Sequence, residues 1–169
     1  RRIMWGKFIN AGQTCIAPDY VLIHKNKKEE FIHASQKYIT EFYGDDPQAS
    51  NDFARIIDNQ QYDRLARMLE HCTIAVGGQT NKEERYIAPT LITNITLNHP
   101  SMQEEIFGPI LPVLEFTTIE EAAQIIKSFP KPLAAYIFTN NKRTWEKLID
   151  DISFGGGCVN DTISHYVSP

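Results

Sequence analysis

The chain has 169 residues, 42% of them hydrophobic, and a formal net charge of −4. This length suits one domain with a substantial core, and the hydrophobic fraction is normal for a globular protein, so we expect a folded chain. The acidic balance and the lack of a long Lys/Arg run argue against a nucleic-acid-binding protein, and no apolar run is long enough to cross a bilayer or to act as a signal peptide.

Cysteine and histidine positions give no indication of a metal site. Cys15, Cys72 and Cys158 are far apart in the sequence, and the five histidines have no spacing typical of metal ligands. An odd number of cysteines without a disulfide framework is typical of reduced thiols. We therefore expect a cytoplasmic protein without a bound metal.

The hydrophobic pattern changes repeatedly between a helical and a strand period along the chain. Helices are predicted where apolar residues recur every three or four positions, and strands where β-branched and aromatic residues form short runs. Two capping boxes, Asn26 with Glu29 and Thr118 with Glu121, predict helix starts, and Gly44 predicts a helix end. In chain order the prediction is a helix at 3–9, a turn at 10–14, a strand at 19–24, a helix at 26–44, a loop at 45–53, a helix at 59–69, a strand at 73–76, an extended stretch at 86–95, a strand at 110–116, a helix at 118–129, a strand at 133–138 and a helix at 145–152.

Alternation of helices and strands of this length predicts an α/β domain with a largely parallel sheet flanked by helices. Pro112 suggests that strand 110–116 lies at a sheet edge or begins irregularly, because proline cannot donate to the ladder. The first predicted helix has no capping residue before it, and no element is completed after Val167. We therefore expect a single domain over residues 1–169 that is truncated at both ends.

Cys15 is the first candidate for chemistry because it lies in a glycine-containing turn between a helix and a strand. Loops at the ends of elements display reactive groups in α/β proteins, and the backbone N–H groups of such a turn can point at a developing oxyanion. A thiol here can act as a covalent nucleophile if its thiolate is stabilised. Taken alone, an isolated cysteine is more often a buried, inert thiol.

Two further segments contain candidate site residues. In Q-E-E-I-F-G-P at residues 103–109, Glu105 can accept hydrogen bonds from a ribose diol and Phe107 can pack against a flat ring. Adjacent carboxylates are, however, usually only solvated charges. The glycine triplet at residues 155–157 permits either a close backbone approach to a ligand or a sharp turn, and the turn is favoured.

The combination of these segments resembles the aldehyde dehydrogenase family. N-A-G-Q-T-C at residues 10–15 resembles the family's N-x-G-Q-x-C signature around its nucleophile, and E-I-F-G-P at residues 105–109 resembles its E-x-F-G-P segment. The two occur in the family's order and at about its separation. Residues 1–20 and the V-N-D-T run at 159–162, with His165 following, are most similar to the class 3 branch, which includes fatty, benzaldehyde and coniferyl aldehyde dehydrogenases.

This resemblance implies a three-layer catalytic domain that oxidises aldehydes to carboxylic acids with NAD or NADP. Cys15 matches the nucleophile, whose thiolate attacks the aldehyde to give a thiohemiacetal and, after hydride loss to the nicotinamide, a thioester that water hydrolyses. Glu105 matches the residue that binds the ribose hydroxyls on the nicotinamide side, and Phe107 matches the residue beside the nicotinamide. The family forms homodimers or tetramers, so the intact parent is expected to do the same.

The resemblance also implies what this chain does not supply. In the family the general base (a glutamate), the side-chain oxyanion donor (an asparagine) and the dinucleotide-binding domain lie upstream of the cysteine motif. We therefore expect that a domain absent from this chain binds most of the cofactor, and that the chain alone binds NAD weakly and turns over no aldehyde. Cys158, after the glycine triplet, departs from the branch and leaves open a second thiol near the active site.

Two alternatives to a dehydrogenase remain open at this point. One is a non-catalytic α/β interaction or structural module derived from the same family. The other is a cysteine hydrolase that uses Cys15, which is weakened because no histidine can be assigned as its base.

Overall fold

A computed structural model describes residues 1–166. Helices and strands alternate along most of this length, as the hydrophobic periodicity predicts. The helices are α1 (Arg2–Phe8), α2 (Lys28–Tyr43), α3 (Asn59–Arg67), α4 (Ile119–Lys127) and α5 (Lys142–Asp151), and the strands are β1 (Val21–His24), β2 (Thr73–Val76), β3 (Thr80–Asn81), β4 (Tyr86–Ile87), β5 (Thr90–Thr93), β6 (Ile110–Phe116), β7 (Ala134–Ile137) and β8 (Gly156–Val159). No helix within the described residues is both long enough and apolar enough to cross a membrane.

The main sheet has four strands in the order β1-β6-β5-β2. Strand β6 is parallel to β1, with Val21 opposite Val113, and parallel to β5, with Thr90 opposite Ile110. Strand β2 runs antiparallel to β5 at one edge, and two smaller sheets are formed by the antiparallel pair β3–β4 and the parallel pair β7–β8. Three of these five pairings are parallel. The prediction of an α/β fold with a largely parallel sheet flanked by helices is confirmed.

Two hydrophobic cores hold the layers together. The larger core lies around β5 and β6, where Leu91 and Ile110 are fully buried because central strands are covered on both faces. Helix α1 contributes Met4 and Phe8 to this core, and α3 contributes Leu65. Packing against the larger core therefore fixes the end of α1 and the start of the loop that follows it. The smaller core consists of Ala123, Ile137, Leu148 and Ile152.

Pro112 lies in a central strand, so the prediction of an edge strand is wrong. The pairing of β6 with β5 covers residues 110–112, and its pairing with β1 covers residues 113–116. Pro112 therefore sits where the strand changes partner. A central strand tolerates the missing N–H of Pro112 because the hydrogen-bonded pairing with β5 ends at this residue and the pairing with β1 begins at the next.

Of the two predicted capping boxes, the structure contains one and lacks the other. The capping box at α4 is confirmed, since the Glu121 N–H donates to Thr118 Oγ1 at 3.2 Å and the Thr117 N–H donates to the Glu121 carboxylate at 2.8 Å. The predicted box of Asn26 with Glu29 is wrong. His24 Nδ1 instead accepts the Asn26 N–H at 3.3 Å and starts a short 3-10 turn that leads into α2.

The glycine triplet lies mostly in a strand, so the favoured interpretation as a turn is also wrong. Gly156 and Gly157 belong to β8, opposite Ala134 and Ala135 of β7. A Cβ on Gly157 would lie 2.2 Å from the Ala135 carbonyl oxygen. Glycine is required here because β7 and β8 approach too closely for a side chain.

Candidate active site

The Cys15 loop (residues 10–15) begins with three consecutive residues in the left-handed region of backbone space. Asn10 and Ala11 each have φ of 51°, and Gly12 has φ of 73°. Such conformations are uncommon for residues with a side chain and need support from their surroundings. The loop turns the chain away from α1 and leaves Cys15 as an exposed, free thiol.

Gln13 provides most of the support for the Cys15 loop. Its Nε2 donates to the Asn10 carbonyl at 3.1 Å and to the Arg55 carbonyl at 3.0 Å. Its Oε1 accepts the Ile57 N–H at 3.0 Å. The amide of Asn10 returns a hydrogen bond to the Gln13 carbonyl at 3.0 Å. The Asn and Gln of the motif therefore shape the loop and tie it to the chain before α3.

Gly12 brings the two sequence motifs into direct backbone contact. A Cβ at Gly12 would lie 2.2 Å from the Gly108 carbonyl oxygen and 3.1 Å from the Lys7 carbonyl oxygen. Residues on the 105–109 segment and residues on the Cys15 loop are consequently held in a fixed relation to each other. The glycine of the N-x-G-Q-x-C pattern is explained by this contact as well as by its positive φ.

The backbone of the 105–109 segment is held from two sides. Arg64 of α3 donates to the carbonyl oxygens of Glu105, at 3.2 Å, and Ile106. Asp19 accepts the Ile106 N–H at 3.0 Å. Phe107 adopts a left-handed conformation with φ of 48°. The side chains of Glu105 and Phe107 are both exposed, so a rigid backbone presents a carboxylate and an aromatic ring to solvent.

All three residues singled out by the sequence line one cleft. Its volume is about 1090 Å³, and it includes Cys15, Glu105 and Phe107 together with Asp19 and Tyr20. Apolar residues of β1, α4 and β7 form much of the remaining wall. An exposed thiol, an exposed carboxylate and an exposed aromatic ring therefore line the same space. This arrangement suits a reaction at sulfur beside a bound flat, hydroxyl-bearing ligand.

A buried lysine, Lys7, and a half-buried aspartate, Asp19, lie near the cleft, and the sequence prediction missed both. Lys7 is 1% exposed, and burial lowers its pKa to about 8, against the opposing effect of the Asp19 and Glu105 carboxylates. Burial raises the pKa of Asp19, an effect that the Lys7 charge, the Ile106 N–H and the Arg64 charge oppose. Lys7 lies on the same helical face as the buried Met4, and a lysine on an apolar stripe was the available sequence signal.

Cys72 differs from Cys15 in its surroundings. Its thiol is partly buried and donates to the Leu69 carbonyl at 3.3 Å, and burial raises its pKa. Such a thiol is less readily ionised and less reactive than an exposed one. Among residues 1–166 no cluster of three or more His, Cys, Asp or Glu side chains has a geometry able to hold a metal ion.

Comparison with known sequences gives consistent matches over the whole chain. A profile described as the aldehyde dehydrogenase family matches residues 1–169. The 4,4'-diaponeurosporen-aldehyde dehydrogenase of Staphylococcus aureus is 45% identical, over 99% of this chain and 37% of that protein. Rat aldehyde dehydrogenase family 3 member A2 is 45% identical over 98% of this chain and 34% of that protein, and the rat dimeric NADP-preferring aldehyde dehydrogenase is 41% identical over 100% of this chain and 37% of that protein.

Solved structures of aldehyde dehydrogenases also align with nearly the whole of this chain. The substrate-bound structure of Staphylococcus aureus AldH aligns with a TM-score of 0.96 and 45% identity, over 99% of this chain and 37% of that one. Lactaldehyde dehydrogenase from Escherichia coli aligns with a TM-score of 0.84 and 27% identity, over 96% of this chain and 36% of that one. The chain spans little more than a third of the length of these relatives.

Proposed function

The chain belongs to the aldehyde dehydrogenase family, and from this premise we propose that it forms the cysteine-bearing catalytic part of an enzyme that oxidises aldehydes to carboxylic acids with NAD or NADP. The curated relatives include class 3 members, in agreement with the predicted branch. The observation that carries the proposal is the convergence of Cys15, Glu105 and Phe107 on one cleft. A cysteine without the other two residues would suit many chemistries.

Cys15 is the proposed nucleophile. Its exposed sulfur bonds to the aldehyde carbon, and the carbonyl oxygen becomes the oxyanion of a thiohemiacetal. Backbone N–H groups of the Cys15 loop, including that of Cys15 itself, can donate to this oxyanion. Loss of hydride gives a thioester, and water then releases the carboxylic acid and returns the thiol. Sulfur suits this sequence because its acyl intermediate hydrolyses readily.

The residues of the cleft fit a nicotinamide dinucleotide. Glu105 is exposed and its backbone is held by Arg64, so its carboxylate can accept hydrogen bonds from both hydroxyls of a ribose diol. The exposed ring of Phe107 offers an apolar face against which a flat ring can pack. When bound, the cofactor supplies the hydride acceptor for the oxidation. The ribose-binding carboxylate fixes where that acceptor lies relative to Cys15.

The remaining parts of the proposed enzyme lie outside these 169 residues. The family's general base, its side-chain oxyanion donor and its dinucleotide-binding domain are upstream of the cysteine motif, and the chain spans little more than a third of its relatives. We propose that a complete, cytoplasmic enzyme contains them and assembles as a homodimer or tetramer. The 169-residue chain alone is then inactive toward aldehydes.

The test is aldehyde-dependent reduction of NAD or NADP, followed at the absorbance of the reduced nicotinamide. The complete enzyme, its Cys15→Ser variant and the 169-residue chain are compared, with Cys72→Ser as the matched control thiol. Activity is expected in the complete enzyme and in Cys72→Ser, and none in the other two. A complete protein that reduces neither cofactor with any aldehyde would overturn the proposal and favour a non-catalytic module of the family.

A further inference from the structure

Strand β8 places a second thiol beside an imidazole. Cys158 is partly buried, and its Sγ lies 3.6 Å from His165 Nδ1 and 3.3 Å from Ser164 Oγ. A thiol with a base within hydrogen-bond reach is the arrangement that activates cysteine nucleophiles in general. None of the chemistry proposed above for Cys15 uses this pair.

The imidazole of His165 is held by the strands beneath it. A Cβ on Gly156 would lie 2.7 Å from His165 Cδ2, so the ring rests directly on the glycine backbone. On another side its ring centroid lies 5.7 Å from that of Tyr136, at an interplanar angle of 54°. Orientation of a base by neighbouring groups is the third part of an activated nucleophile. The glycine at position 156 makes room for this base.

Tyr136 connects the second thiol to the Cys15 loop. Its hydroxyl donates to the Ile16 carbonyl at 2.7 Å, and its side chain lines the cleft. Burial is the main cause that raises the pKa of Tyr136 to about 12, a backbone hydrogen bond from Ile163 opposes it, and the nearby Cys158 and Cys15 contribute in the same direction as burial. Tyr136 therefore contacts the backbone next to Cys15 and lies opposite Cys158 in the β7–β8 pair. Cys158 is thus a direct strand neighbour of a residue that lines the cleft.

We propose that Cys158 is a second nucleophilic thiol that captures α,β-unsaturated aldehydes by conjugate addition, with His165 as its base. This inference rests on the proposed function, since an aldehyde-oxidising enzyme admits such electrophiles to its cleft. The thiol proton passes to His165 Nδ1 and the sulfur bonds to the β-carbon. The π electrons move to the α-carbon, which takes up a proton. No oxidant and no leaving group is needed, and Cys158 gains the whole mass of the aldehyde.

The test is site-resolved labelling of the complete enzyme. Short incubations with but-2-enal, or with iodoacetamide as a probe that needs no turnover, are followed by digestion and mass spectrometry of the peptides with Cys15, Cys72 and Cys158. Labelling of Cys158 is expected to be about tenfold faster than labelling of Cys72. The His165→Gln variant is expected to slow Cys158 about fivefold and to leave Cys15 and Cys72 unchanged. His33→Gln, an exposed histidine of α2, is the control.

A second variant, in strand β8, tests whether the position of the His165 imidazole determines the reactivity of Cys158. Gly156→Ala puts a methyl group into the space of the imidazole and is expected to slow Cys158 as much as His165→Gln does. Equal labelling rates at Cys158 and Cys72, or a Cys158 rate that neither variant changes, would overturn the proposal. Fast iodoacetamide labelling of Cys158 in a protein that oxidises no aldehyde would instead refute the proposed function and leave the activated thiol standing.

Discussion

Gly12 approaches Gly108 so closely that a Cβ on Gly12 would lie 2.2 Å from the Gly108 carbonyl oxygen. This contact joins two short motifs that are far apart in the chain. One carries the thiol, and the other carries the carboxylate and the aromatic ring of the cleft. The position of Cys15 relative to Glu105 and Phe107 thus depends on a backbone contact, which any side chain at position 12 would break.

Gly12→Ala is expected to destabilise the fold and abolish activity. The new methyl group meets a backbone carbonyl and its residue must keep a φ of 73°, so the free energy of unfolding should fall by about 3–5 kcal/mol. Gly44→Ala is the matched control, because Gly44 has a φ of 79° but nothing within 4 Å of its Cβ position. Urea unfolding should show a loss of only about 1–2 kcal/mol there. Equal losses would mean that the contact with Gly108 contributes nothing.

Arg64→Gln is expected to weaken cofactor binding in the complete enzyme. Without the guanidinium, the carbonyls of Glu105 and Ile106 lose their donors, and the backbone that carries the Glu105 carboxylate keeps only the support from Asp19. We expect the KM for NAD or NADP to rise about tenfold. Arg67→Gln, on the exposed face of the same helix, should leave this KM unchanged. Identical effects of the two variants would argue against a positioning role for Arg64.

Gln13→Ala is expected to slow the chemical step without removing the nucleophile. It deletes the hydrogen bonds to the carbonyls of Asn10 and Arg55 and to the Ile57 N–H, so the Cys15 loop loses its tie to the chain before α3. A fall in kcat of about tenfold or more is expected, because small misplacements of a nucleophile are costly. Steady-state kinetics and the iodoacetamide rate at Cys15 provide the measurement. An unchanged kcat would show that the loop holds its shape without Gln13.

The pH dependence of stability should report the buried Lys7. Burial lowers its pKa from 10.5 in the unfolded chain to about 8 in the fold, so the unfolded state binds more protons between these values. The contribution of Lys7 to the free energy of unfolding should therefore rise with pH across this window and be constant below it. Compared with Lys7→Met, the wild type should gain about 2–3 kcal/mol between about pH 8 and pH 10.

Buried tyrosines also titrate at high pH and change the stability, so the effect of Lys7 has to be measured as a difference from Lys7→Met. Burial raises the pKa of Tyr43, Tyr86 and Tyr136 to about 12, and these tyrosines lower stability above about pH 10 with the opposite sign. Their contribution is the same in both proteins and cancels in the difference. Parallel curves for wild type and Lys7→Met would contradict the assignment of a lowered pKa to Lys7.

Local signals made much of the fold predictable from the sequence. The Thr118 capping box, the end of α2 at Gly44 and the buried strand β6 depend on residues close together in the chain, and all three are present. The position of Pro112 in a central strand could not be predicted, because it depends on long-range strand pairing. Its place in a central strand depends on how β1 and β5 are staggered along β6, which periodicity does not contain.

Some residues of the candidate site could likewise be predicted from local sequence, and others could not. Cys15, Glu105 and Phe107 lie in contiguous motifs, and the structure places all three in one cleft. Arg64 and Asp19, which hold the backbone of the 105–109 segment, come from other parts of the chain and carry no motif of their own. Supporting residues of this kind are found only when tertiary contacts are known, because their role is to meet a distant backbone atom.

The central claim is that Cys15 carries the acyl group during turnover. The most direct measurement is mass spectrometry of the complete enzyme quenched in acid during oxidation of an aldehyde with saturating cofactor. The account predicts that the peptide with Cys15 gains the mass of the aldehyde less two hydrogen atoms, as expected for a thioester. This species should be absent from Cys15→Ser and present in Cys72→Ser. Turnover with no acyl group on Cys15, or with the acyl group on Cys72 or Cys158 instead, would contradict the account.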